Sequence, residues 1–153
     1  MKLVAAAACC MLLAASPGPS EHAKEEPKVD VKTAFAGNTI SAMAYLLQKA
    51  PVPGSGATGV DSLKTIMFKA YLDASGRARV TTWNPRSQRY NNTVEDRWRV
   101  DGDVVCLSGR SLGLRQGEFC FETLVWGPVF AGRGTTLDAT VKGDVRPGNA
   151  DQL

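Results

Sequence analysis

The feature that most limits what this chain can fold into is a succession of short period-two segments separated by tight turn signals. Alternation with period two places successive side chains on opposite faces of a strand. Ile66, Phe68, Ala70 and Leu72 alternate with Thr65, Met67, Lys69 and Tyr71. Asp73-Ala74-Ser75-Gly76 then supplies a turn, with Gly76 free to take positive φ. Arg77 to Trp83 returns with Ala78, Val80 and Thr82 on one face, so the two segments read as a β-hairpin.

A polar loop from Asn84 to Asn92 leads into a strand from Val94 to Val100. Val94, Trp98 and Val100 face one way and Glu95, Arg97 and Arg99 the other, with Asp96 on the apolar side. Asp101-Gly102 is the strongest hairpin signal in the chain, and Val104 to Leu107 is its return strand. Two registers stay open. A two-residue Asp101-Gly102 turn pairs Trp98 with Val105, and a three-residue turn that includes Asp103 pairs Trp98 with Cys106. A slip of one residue exchanges the faces of the whole return strand.

Ser108 to Gly117 is a glycine-rich loop, and Glu118 to Trp126 is a strand with Phe119, Phe121 and Val125 opposite Cys120, Leu124 and Trp126. Gly127-Pro128 breaks it. Val129 to Ala131 is a short strand, Gly132 to Gly134 turns, and Thr135 to Lys142 is the last clear strand. No connection among these later strands is long enough to hold a crossover helix, which excludes parallel pairing there.

The earlier part is less decided. Val29 to Ala36 fits two helical turns, with Asp30 near the start and Gly37 as the stop. Thr39 to Leu47 fits either a helical stripe of Ile40, Met43, Ala44 and Leu47 or the beginning of a strand. Pro51 to Gly59 is dense in proline and glycine and reads as a loop. The expected class is therefore mainly β: a small antiparallel barrel or sandwich of six to seven strands, with a short N-terminal helix.

The first twenty residues stand apart. Lys2 is followed by the uncharged apolar run Leu3 to Ala15 and then by Ser16-Pro17-Gly18-Pro19-Ser20, the layout of a secretory signal peptide. As a helix that run rises only about 20 Å, short of a hydrocarbon core of about 30 Å. Cys9 and Cys10 lie inside the run rather than after it, which argues against a lipid anchor. Residues 21–28 read as a disordered spacer, 29–149 as one β domain and 150–153 as a tail. The expected location is periplasmic or secreted.

Removal of the leader leaves two of the four cysteines, Cys106 and Cys120. In an oxidising compartment they are expected to form a disulfide. The closed loop would contribute about 3 kcal/mol on chain-entropy grounds.

The formal charge of +3 is too small to argue for nucleic acid. The single histidine, His22, falls in the spacer, so the domain has no imidazole base for nucleophilic catalysis. Without it the domain also lacks the usual zinc ligand set. Glu95 and Asp96 point to opposite faces of one strand, and Asp101 and Asp103 flank a turn. No glycine-rich phosphate cradle precedes a helix. No catalytic residue, metal or cofactor is expected. Trp83 and Tyr90 beside a loop, with Arg97 and Arg99, are the candidate ligand-binding residues, because aromatic and arginine side chains favour binding sites.

Several motifs carry a resemblance. Gly37-Asn38-Thr39, Arg97-Trp98-Arg99-Val100 with Asp101-Gly102-Asp103, Val105-Cys106-Leu107, Phe119-Cys120-Phe121 and Pro147-Gly148-Asn149 resemble a group of small secreted proteobacterial proteins built on a domain of unknown function. The resemblance spans residues 37 to 149, with a longer stretch from Ala44 to Ser62. It implies export and a lipocalin-like or similar small β domain, and it adds no catalytic residue.

The function expected is a non-enzymatic binding module. An open cavity lined by Trp98, Phe68 and Phe121 would favour a small apolar ligand, and a filled interior would favour an envelope partner such as a protein or polysaccharide. The alternatives are an envelope enzyme in which Asp96 or Glu122 converges with arginines, or a structural protein tethered near the membrane.

Overall fold

Asp30 starts the first element by offering its carboxylate to an unsatisfied helix donor. Its side chain accepts a hydrogen bond from Thr33 N at 2.8 Å and so caps α1, Val31–Phe35. Hydrogen bonds from the Thr33 hydroxyl and from Thr33 N hold the Asp30 carboxyl below its usual range. Val31 and Phe35 are four residues apart, share one helix face, and are both fully buried. The helix stops at Ala36, and Gly37 turns the chain at φ +75°, with its N–H on the Leu72 carbonyl at 2.6 Å.

The computed structural model describes residues 29–51, 54, 58–115 and 117–153. The expected signal peptide and spacer, with Cys9, Cys10 and His22, lie outside the described residues. After α1 come β1 (Asn38–Pro51), β2 (Thr58–Leu72), β3 (Arg77–Asn84), β4 (Arg89–Tyr90) and β5 (Val94–Asp101). Then follow β6 (Val104–Ser108), β7 (Glu118–Trp126), β8 (Val129–Gly134) and β9 (Ala139–Pro147).

Every strand pairs antiparallel with its neighbours, in the order β2-β1-β9-β8-β7-β6-β5-β3, and β3 pairs back onto β2. The sheet thus closes into an up-and-down ring, a barrel rather than a sandwich, with the two-residue β4 hung on the end of β3. Among the described residues there are nine strands where the sequence suggests six or seven. Thr39 to Leu47 is a strand, not a helix. Ile40, Ala42, Ala44 and Leu46 all point inward, and the two alanines are too small to stand out as an apolar period.

The Asp101-Gly102 hairpin has neither expected register. Asp101 pairs with Val104 and Trp98 with Leu107, so the two-residue turn is Gly102-Asp103. Gly102 takes φ +58° at the first central position, the place where a II′ turn requires glycine. The shift from the first expected register is two residues, so Val105 and Leu107 still share the inner face with Trp98.

The barrel interior is filled. Phe35, Phe68, Phe119 and Phe121 are at most 1 % exposed. Phe35 meets Phe130 edge-on with ring centroids 5.0 Å apart, and Phe119 and Phe130 pack against Phe121 at 5.6 and 6.3 Å. Gly143 makes room for Phe130, since a Cβ there would stand 2.9 Å from two carbons of its ring. Up-and-down alternation puts α1 at one end of the barrel. Buried Leu112 and Leu114, in the segment after β6, cover the other end, tied by Leu114 N to the Gly109 carbonyl at 2.8 Å.

Cys106 and Cys120 face each other across β6 and β7 and form the expected disulfide, with S–S at 2.06 Å. It lies on the outer face, opposite the inward Val105, Leu107, Phe119 and Phe121.

Candidate functional site

The residues proposed to line an open cavity, Trp98, Phe68 and Phe121, are packed core side chains at 7 %, 1 % and 0 % exposure. Trp98 also donates its indole N–H to the Asp73 carbonyl at 2.8 Å, fastening β5 under the β2–β3 turn.

On the outer face the register aligns one row across six strands: Trp126 (β7), Val129 (β8), Asp144 (β9), Ser41 (β1), Lys69 (β2) and Thr81 (β3). Adjacent strands lie about 4.8 Å apart, so the row spans about 24 Å. The next row carries Leu124, Ala131, Lys142, Met43 and Met67. Between these rows runs an apolar groove of about 460 Å³, bordered by Tyr90 and Val129 and lined by Met43, Met67, Lys142 and Asp144. Its floor reaches Gly143 and the core residues Ala42, Phe68 and Phe130. Trp126, Val129 and Leu124 beside it are about half exposed (50 %, 49 % and 49 %), an apolar patch left open to solvent.

The sequence-selected site residues separate into two groups. Trp83 and Tyr90 pair across β3 and β4 and their rings meet edge-on at 5.3 Å. Lys69 stands over the Tyr90 ring at 4.8 Å, and of the two aromatics Tyr90 borders the groove. Arg97 and Arg99 lie elsewhere. Arg97 is opposite Arg77, six residues along β3 from Trp83, which is roughly 20 Å. Arg99 forms a two-pronged ion pair with Glu118, at 3.1 and 2.9 Å, on the same face as the disulfide. The Glu118 hydrogen bond and charge raise the Arg99 pKa further, and Arg99 lowers that of Glu118.

The carboxylates named for an enzyme also part company. Asp96 joins Asp73, Arg77, Arg79, Glu95 and Tyr71 around a cleft of about 270 Å³, whereas Glu122 is exposed on β7, opposite Arg133 of β8. The Asp73 carboxyl in that cleft is held low by hydrogen bonds from Ser75. Cys106, Glu118 and Cys120 bring their ligand atoms within 4.8 Å of one another, but both sulfurs are bonded to each other and offer no thiolate to a metal.

A further feature had no signal in the sequence. Residues 148–153, of which 150–153 read there as a tail, fold back over the outer face of β1. Thr39 Oγ1 donates to the Gly148 carbonyl at 2.7 Å and accepts from Ala150 N at 3.0 Å, which leaves Thr39 fully buried. Asn38 Oδ1 accepts from Gly148 N at 3.0 Å. Asp151 reaches Lys69 Nζ at 3.1 Å and two guanidinium nitrogens of Arg146. Arg146 is itself bonded to Ser41 Oγ at 2.5 Å, and its Nε lies 3.2 Å from Asp144 in an ion-pair contact. Burial pushes the Asp151 carboxyl up, but the bonds from Lys69 and Arg146 outweigh that and hold it below its usual range.

Among the described residues no helix is long and apolar enough to cross a membrane. No protein-family profile, curated protein or solved structure matches this chain.

Proposed function

We propose that this chain is a non-enzymatic binding module of the periplasm or extracellular space that holds its partner on the outer face of the barrel. The observation that carries the reading is the contrast between the interior and the surface. The core is occupied by its own phenylalanines, while an apolar groove flanked by half-exposed Trp126 and Val129 lies open outside. The Cys106–Cys120 bridge suits an oxidising compartment, as does the signal-like leader. The resemblance to small secreted proteobacterial proteins points the same way.

A photo-crosslinking side chain at Val129, introduced in the native cell, tests this. The expected result is one discrete adduct that Met67→Asp abolishes, with none from the same side chain at Glu122. Equal labelling from both positions, or no adduct at Val129, refutes the reading.

A second reading, a carboxylate and arginine enzyme, is favoured by one observation: Asp96 lines one cleft together with Arg77 and Arg79. Its measure is hydrolysis of a panel of ester, phosphoester and glycoside substrates. Turnover that Asp96→Asn removes would establish it, and turnover that persists in that variant would end it.

A further inference from the structure

We propose that Lys69 and Arg146 form a carboxylate-recognition clamp, which the chain's own Asp151 fills at rest and which an acidic side chain of a peptide partner takes over. The inference rests on the outer-groove reading and names the chemistry of the partner.

The clamp is built for one anion. Arg146 is aimed by Ser41 and Asp144, and it meets Asp151 with two nitrogens, the geometry that planar carboxylate recognition requires. Lys69 is fixed over Tyr90 and supplies the second cation. Ser41 belongs to both the clamp and the groove, so the two are continuous. A chain lying in the groove against Met43 and Met67 meets the cations at its end.

The present occupant is held by exchangeable contacts. The bonds that dock residues 148–153 onto β1, β2 and β9 are polar, through Asn38, Thr39, Lys69 and Arg146. The charge balance selects the replacement. With Asp151 withdrawn, Lys69, Lys142 and Arg146 outnumber Asp144 among the described residues here, so this end of the groove carries a clear positive excess. An acidic group on the partner restores the balance that Asp151 now provides. The tail thereby lowers the apparent affinity of any competitor in proportion to the time it spends docked.

The test uses the protein, its Asp151→Asn variant, and two probes, acetyl-Leu-Asp-Leu-amide and acetyl-Leu-Asn-Leu-amide, followed by amide NMR titration. Asp151→Asn is expected to bind the Asp probe roughly tenfold or more tightly than the unsubstituted protein does. Shifts are expected at residues 41–43, 67–69, 90 and 142–146. Adding Lys69→Met to Asp151→Asn is expected to reduce the Asp probe to the affinity of the Asn probe, with unchanged amide dispersion elsewhere showing that the fold is kept. Equal binding of both probes to Asp151→Asn, in the groove, overturns the clamp and leaves the groove reading standing. No binding of either probe overturns the clamp and a peptide partner together, while the Val129 adduct continues to report on the groove by itself.

Discussion

Replacing Phe35 with alanine removes the largest side chain that α1 contributes to the barrel. Phe35 is fully buried and packs edge-on against Phe130 at 5.0 Å. Burying and then deleting a phenylalanine in a packed core costs about 3–5 kcal/mol. The helix is only five residues long, and Val31 is its other buried anchor. Burial of Val31 stabilises by about 1.5–3 kcal/mol, which does not offset ordering the segment at about 1–2 kcal/mol per residue. The helix in Phe35→Ala therefore detaches rather than collapsing around a cavity, and the loss settles near the lower figure, about 3 kcal/mol. For a domain of this size that corresponds to a fall in Tm of about 12 °C. Urea unfolding followed by tryptophan fluorescence measures it, with Val29→Ala at an exposed position as a control expected within about 0.5 kcal/mol. A loss below about 1 kcal/mol for Phe35→Ala would refute the claim that α1 plugs the barrel.

Other perturbations test other parts of the account. Replacing both Cys106 and Cys120 with serine is expected to cost about 3 kcal/mol for a bridge that spans 14 residues, read as a lower thermal midpoint; an unchanged midpoint would contradict it. Gly143→Ala drives a Cβ against the Ser41 carbonyl and the Phe130 ring, and is expected to destabilise by about 1–3 kcal/mol in urea unfolding, whereas a neutral result would contradict the close β1–β9 approach at this position. Asp151 has a folded pKa below its unfolded value near 3.9, so its contribution is complete above that value and is lost as pH falls through the folded pKa. Carboxyl carbon NMR of Asp151 is expected to show a midpoint below about 3.9, and a midpoint at or above it contradicts the docked tail.

Much of this fold was legible because local signals and burial agreed. Asp30 and Gly37 bounded α1, the 73–76 turn joined β2 to β3, and Phe119 and Phe121 alternated cleanly with Cys120. Other parts depended on contacts made only after the ring closes. In β1, Ile40, Met43, Ala44 and Leu47 match a helical stripe as well as a strand, and pairing with both β2 and β9 decides the matter. The turn at Gly102-Asp103 was misplaced because Asp-Gly favours a I′ turn, while the strand faces are met equally well one pair further on. Thr81 looks like an outward residue by period, yet it is 4 % exposed because Asn91 folds over it and accepts its hydroxyl at 2.7 Å.

The site was legible in part. Trp83 and Tyr90 are near in sequence and meet across a short hairpin, so their proximity follows from local pairing. Arg97 and Arg99 share composition with them but sit on β5, and strand direction carries them away. Met43, Met67 and Val129 come from three separate strands, and only the register assembles them into a groove. Asp151 carries no local pattern; its role exists through contacts with Arg146, five residues earlier in the chain, and with Lys69, 82 residues away in sequence, which the fold alone brings beside it.

The central claim is that the barrel is filled by its own side chains and that binding faces outward. Mass spectrometry of the protein purified from its own compartment, under native and then denaturing conditions, tests it most directly. Equal masses for the monomer in the two states, with the disulfide intact, is the predicted result. A stoichiometric apolar small molecule that accompanies the native protein and leaves on unfolding would contradict it.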